Sequence, residues 1–193
     1  MTSNRILLKT RPGAHVDWRR ELHLLATTLG FSVDACFKAV SDAELYCYLL
    51  TPQDALGLAA SLEPCATRSL VDQGLTASAI APLLHRDGPA RGCTADFHYV
   101  VETDVDAGPE QELNDWYDTE HLPGLAAVPG CIAAARYRNL SHKPRYIAAY
   151  DLTEAGTLER PEWLAVRNTA WSSRVRPNFR NTKRTLFRHE PFA

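Results

Sequence analysis

The chain reads as an α+β fold in which one strand–helix–strand–strand–helix–strand order occurs twice. Three observations carry that reading. Apolar residues alternate between short strand-like and longer helical periods in the same order in both halves. Paired echoes lie 100 residues apart, with Leu29-Gly30-Phe31 answered by Pro129-Gly130-Cys131 and Glu44-Leu45-Tyr46 by Pro144-Arg145-Tyr146. A third echo, Arg68-Ser69-Leu70-Val71 against Arg184-Thr185-Leu186-Phe187, falls near the end of each half.

In the first half, residues 5–10 predict a strand. A helix follows around Trp18, Leu22, Leu25 and Leu29, stopped by Gly30. Residues 31–40 and 44–51 predict two strands, Pro52 opens a helix through Leu56, Ala59 and Leu62, and residues 67–71 predict a short last strand. Residues 76–93 hold Pro82, Gly88, Pro89 and Gly92 and are expected to be a linker with one helical turn at 79–84. The second half starts with a β-branched and aromatic strand over 97–103. Gly108-Pro109-Glu110 then places proline and acids where a helix begins, ahead of Leu113, Trp116 and Tyr117 at helical spacing. Residues 131–138 and 145–152 predict a hairpin, Pro161 opens a helix carrying Trp163, Val166 and Ala170, and 183–189 predict the last strand. Two split βαβ units, at 1–75 and 94–193 with a linker at 76–93, make tandem ferredoxin-like βαββαβ units. Each such sheet leaves one apolar face bare, so the two sheets are expected to pack together, within the chain or across a homodimer.

Composition narrows the function. With 45% hydrophobic and 23% charged residues, the 193-residue chain can bury a core. Its 21 Lys+Arg against 23 Asp+Glu provide no basic field for nucleic acid or an anionic membrane. No stretch is long and apolar enough for a bilayer span or secretory signal, so a cytoplasmic protein is expected. Five scattered cysteines without a C-x-x-C pair fit neither a disulfide framework nor a zinc site. Cys36, Cys47 and Cys131 are expected to be small buried hydrophobes. No metal site is expected, since no His-x-x-x-His pair occurs, and the absence of a glycine-rich phosphate loop and of a G-x-S-x-G elbow argues against nucleotide enzymes and α/β-hydrolases; no cofactor is expected.

Chemistry concentrates at residues 115–123. Counting from Leu113, helical spacing puts Trp116, Tyr117, Glu120 and His121 on the face that should be buried, where a carboxylate and an imidazole are costly unless paired. Two readings stand. Tyr117, Glu120 and His121 form an acid–base group, with His121 buried and hydrogen-bonded on at least one ring nitrogen; or His121 caps the helix end while Glu120 binds backbone amides or an arginine. His98 alternates with Val100 and Glu102 and either points into the same pocket or faces solvent, and Arg136, Arg184 and Arg188 are strand arginines suited to a carboxylate or to surface ion pairs.

The W-Y-x-x-E-H-L-P motif of Trp116–Pro123, followed by Val128-Pro129-Gly130 and Arg136-Tyr137-Arg138, resembles the EthD-like branch of the dimeric α+β barrel superfamily. The resemblance spans about 95–190 well and the first half only loosely. It implies ferredoxin-like units assembled as a dimeric α+β barrel, a ligand pocket between sheet and helices, and a homodimer. Its relatives include cofactor-free cyclases, isomerases, monooxygenases and heme-handling enzymes. The catalytic role then falls on His121 with Glu120 and Tyr117 beside it, and substrate contact on His98, Trp116 and Arg136. The expected function is cofactor-independent proton transfer on an aromatic or polyketide-like compound, with a cofactor-free monooxygenase or a non-catalytic ligand-binding module as alternatives. At the 100-residue offset, Glu120 and His121 answer to Arg20 and Glu21, so the first half is expected to serve mainly in packing.

Overall fold

A computed structural model describes residues 4–13, 15–52 and 54–192. The expected outer bounds at residues 1 and 193 lie outside them. Two compact units result. The first takes residues up to 81 with 139–142 and 187–193, and the second takes 82–138 and 143–186.

The first unit contains β1 (Asn4–Thr10), α1 (Trp18–Leu29), β2 (Ser32–Ala39), β3 (Leu45–Thr51), α2 (Ala55–Cys65), α3 (Arg68–Asp72) and the start of β4 (Thr76–Asp87). Asp17 caps α1 by accepting from the Arg20 amide, and Gly30 ends it in the left-handed conformation at φ 72°. The strands run antiparallel in the order β4–β1–β3–β2, the ferredoxin-like order. The helices lay Leu22, Leu25, Leu58 and Leu62 against Ile6, Leu8, Cys47 and Leu49, so this side of the sheet is filled by aliphatic side chains.

Two expectations are corrected here. Residues 67–71 are not a strand: the Thr67 hydroxyl accepts from the Leu70 amide and starts α3, which buries Leu70. The third echo therefore matches a helix to a strand and is no repeat. The segment read as a linker carries β4, without the helical turn at 79–84. Its small side chains Ala77 and Ala79 fit against the core, and its backbone pairs with β1 from Arg5↔Ile80 to Lys9↔Thr76. The breakers Pro82 and Gly88 drew attention away from this small-residue pattern.

The second unit contains the rest of β4, then β5 (Phe97–Val105), α4 (Glu110–Trp116), a π-helical turn (Tyr117–His121), α5 (Leu122–Ala126), β6 (Cys131–Asn139), β7 (Tyr146–Leu152), α6 (Pro161–Arg167), α7 (Ala170–Val175) and β8 (Phe179–Glu190). Here too the order is antiparallel β8–β5–β7–β6, with Tyr99 opposite Tyr150 and Val101 opposite Ala148. Beyond its share in this unit, the end of β8 belongs to the first unit and pairs with β2 from Cys36↔Glu190 to Ala39↔Phe187. Cys36, Cys47 and Cys131 are buried free thiols. Among the described residues no helix is long and apolar enough to cross a membrane.

Candidate functional site

The segment from Glu110 to Ala126 is helical throughout, but its middle is widened. At the π turn the Leu122 amide donates to the Tyr117 carbonyl, five residues back, so one residue is inserted into the helical register. Positions beyond the insertion are displaced by one, and Trp116 meets His121 in the way residues four apart meet in a regular helix. Their rings stack with centroids 4.0 Å apart and planes 19° from parallel, while Tyr117 sets its edge to His121 at 5.4 Å. His121 is 7% exposed.

Trp116, Tyr117 and His121 line a cavity of about 30 Å³ between the helices and the sheet of this unit. Tyr99 and Tyr150 reach it from β5 and β7, and Trp163 from α6. Trp163 lies edge-on to both tyrosines, at 6.2 and 5.2 Å. Arg167, Arg176, Phe179 and Arg184 complete the lining. Four lining side chains carry a buried polar atom with no hydrogen-bond partner among the described residues: Trp116 Nε1, His121 Nδ1, Tyr150 OH and Trp163 Nε1. Such atoms are costly unless something bonds them. The expectation that a ring nitrogen of His121 would find a protein partner is therefore not met at Nδ1.

The electrostatics follow from burial and from the arginines. Burial, reinforced by the positive charges of Arg176 and Arg167, pushes His121 down to about 3, so its imidazole is neutral at physiological pH. Burial pushes Tyr117 up to about 12 against the pull of Arg136, and raises Tyr99 and Tyr150 as well, which keeps the phenols protonated. Arg176 is lowered by burial and by Arg167 and Arg184.

The remaining expected site residues lie apart from this cavity. Glu120 is half-buried and accepts from the Thr169 hydroxyl at 2.6 Å. Thr169 is the N-cap of α7, so Glu120 ties the π turn to that helix. Alternation along β5 sends Tyr99 and Val101 to the cavity and His98 to the other face, where it is buried 2.7 Å from Asp151. Arg136, 1% exposed, lies 4.4 Å over the Tyr117 ring and 4.7 Å over Tyr146, donates to Asn114 at 2.8 Å and approaches Asp118 at 3.6 Å. It backs Tyr117 without lining the cavity. Arg188 lies on the β8 segment that belongs to the first unit.

Sequence reasoning missed Tyr99, Tyr150, Arg167 and Arg176. The tyrosines were visible in strand alternation, and Arg167 follows Trp163 by four residues on one helix. Arg176 had no such signal. Among the described residues no group of three or more His, Cys, Asp or Glu is placed to hold a metal ion.

No protein-family model and no curated protein matches the chain. Solved structures do. An anthrone oxidase-like protein superposes with a TM-score of 0.65 at 14% identity, covering 98% of this chain and 92% of its own. A mutant chlorite dismutase from Candidatus Nitrospira defluvii, in complex with cyanide, gives 0.64 at 12% identity over 100% and 93%. A monooxygenase-like protein from Listeria innocua gives 0.55 at 11% over 99% and 96%. At these identities the likeness concerns the fold alone. The chain shares the α+β fold of these proteins, built here from ferredoxin-like units.

Proposed function

We propose that the second unit is the reactive half of a small-molecule enzyme of the EthD-like kind, which moves a proton on an aromatic or polyketide-like compound without a bound cofactor. The observation that carries this reading is the buried, neutral, unpartnered imidazole of His121 in an aromatic cavity rimmed by arginines. A substrate C–H beside a carbonyl gives its proton to the free ring nitrogen. The bonding pair moves into the carbonyl to leave an enolate oxygen, which the protonated Tyr117 or Tyr150 and the arginines stabilise. The arginine field that adds to burial in keeping the imidazole neutral favours the anion formed, and that anion in turn balances the new imidazolium. Return of the proton to a different carbon of a conjugated enolate completes an isomerisation; attack of the enolate carbon on a second carbonyl, whose oxygen then takes the proton from the imidazolium, completes a cyclisation. Glu120 acts as a positioning residue through Thr169 and α7.

Ring entry requires movement. A cavity of roughly 150 Å³ accommodates benzene, against about 30 Å³ here, so Arg167, Arg176 and Phe179, half-buried at the rim, must swing outward. The aliphatic interior of the first unit supports a packing role for that half. We read the active protein as a cytoplasmic homodimer, to be checked by sedimentation equilibrium against the 21.5 kDa of one chain.

Oxygen chemistry is the second reading, favoured by neighbours named anthrone oxidase-like and monooxygenase-like. The same carbanion would pass its electrons to dioxygen, which is reduced as the substrate carbon is oxidised. The shared first step is tested by solvent-deuterium exchange at the acidic methylene of hydroxylated anthrones, followed anaerobically by NMR. Exchange above the buffer rate with wild type and at the buffer rate with His121→Ala is expected; equal rates would overturn the proposal. Admitting air then separates the readings, because only the second needs oxygen for product.

A further inference from the structure

The rim of the cavity holds a charge arrangement that proton transfer alone does not require. Arg167 from α6, Arg176 from the turn after α7 and Arg184 from β8 converge on one small cavity, yet the side chain of none of the three forms an ion pair or hydrogen bond with a described residue. Other arginines of the same unit behave differently: Arg145, Arg160, Arg174 and Arg180 each hold a carboxylate within 2.8 Å. Three guanidinium groups brought together without a counter-charge repel one another, and a protein sustains that arrangement where an anion is to be bound. Behind them the cavity is walled by Trp116, Trp163 and Tyr99. The same lining includes the indole N–H groups and the phenol of Tyr150, all buried without hydrogen-bond partners among the described residues.

We propose that Arg167, Arg176 and Arg184 form a carboxylate-binding rim, and that the ligand is a small aromatic carboxylate whose ring enters between the tryptophans while its acid group stays at the rim. This names the substrate class of the site proposed above and rests on that site being the binding site, but not on His121 being the base. An aromatic ring suits the wall because indole and phenol rings pack edge and face against it. A carboxylate suits the rim because its two oxygens accept paired guanidinium donors in one plane. Phosphate offers the same charge but no ring, and would leave the aromatic wall unused.

Calorimetric titration of the full chain with benzoate, benzamide and inorganic phosphate tests this. Benzoate should bind at least about tenfold more tightly than either benzamide or phosphate, the loss of one charge-assisted bond being worth that factor or more. The double variant Arg176→Ala/Arg184→Ala should weaken benzoate by about tenfold or more with a thermal midpoint no lower than that of the wild type, while Arg184→Lys retains most of the affinity and Arg20→Ala in the first unit changes nothing. Should the double variant fail to fold, Arg184→Ala alone carries the test, since its side chain is exposed on β8. Benzoate affinity indifferent to these arginines, or equalled by benzamide or phosphate, would overturn the proposal. His121→Ala separates the two claims. Arginine-dependent benzoate binding retained in that variant upholds the carboxylate rim whatever the deuterium exchange shows.

Discussion

The two units share one strand order, yet among the described residues only the second gathers a histidine and aromatic rings around a cavity between its helices and its sheet, and the difference begins in a single helical turn. In the first unit α1 is a regular helix, capped by Asp17 and closed by Gly30, and its Leu22 and Leu25 meet the aliphatic face of the sheet. In the second the matching helix takes an extra residue at Tyr117–His121, and the sheet side chains opposite are Tyr99, Val101 and Tyr150. Leucine and isoleucine interdigitate to close packing, whereas rigid aromatic rings set edge to face leave gaps that cannot be filled by small rotations. A ferredoxin-like unit gains an aromatic cavity by exchanging aliphatic for aromatic side chains along one sheet face and widening one turn of the covering helix.

The largest effect that would sharpen this contrast is catalytic. His121→Ala should lower the exchange or turnover rate by about 10²- to 10⁴-fold with folding intact, while Arg20→Ala and Glu21→Ala, at the matching positions of the first unit, leave the rate unchanged. An equal loss from the first-unit variants would break the comparison.

Acid stability comes next. His121 is held down to about 3 in the folded protein against an ordinary value near 6.5 when unfolded. The unfolded chain therefore binds the extra proton first. Stability from this group is intact above pH 6.5 and is lost as pH falls from there toward 3, at up to about 1.4 kcal/mol per pH unit. Chemical denaturation of His121→Asn as a function of pH should lack that share of the slope. An identical slope in wild type and variant would show that the imidazole is not held neutral.

Smaller effects concern the supports of the widened turn. Glu120→Gln should cost about 1 to 2 kcal/mol, the hydrogen bond from Thr169 passing from a charged to a neutral acceptor. Thr169→Val removes that bond and the α7 cap together, at a similar or slightly greater cost. The double variant should cost less than the two added, because they share one bond, and full additivity in urea melts would mean that the bond is absent in solution. Gly130→Ala should cost at least about 1 to 2 kcal/mol. Its φ is 93° and an added Cβ would sit 2.5 Å from Thr157 Oγ1. Gly30→Ala, also at positive φ, serves as the first-unit comparison in the same melts.

What the sequence determined by itself is the order of most elements and the burial of the aromatic and histidine side chains at 116–121. Period-2 and period-3.6 patterns reflect which side chains face the core, so β1 to β3, β5 to β8 and the helices at Trp18, Glu110 and Pro161 were legible from apolar spacing and local caps. The burial of Trp116, Tyr117 and His121 followed from the same spacing. Tertiary structure decided the rest. β4 is a strand because β1 offers it a pairing edge, and no local propensity of Thr76–Asp87 announces a partner some 70 residues away. The π turn is a shift in backbone hydrogen bonding that composition does not encode, and it turned Glu120 from the expected pocket onto Thr169. The meeting of Arg167, Arg176 and Arg184 is a property of three elements folded together, since charge repulsion and field add through space rather than along the chain.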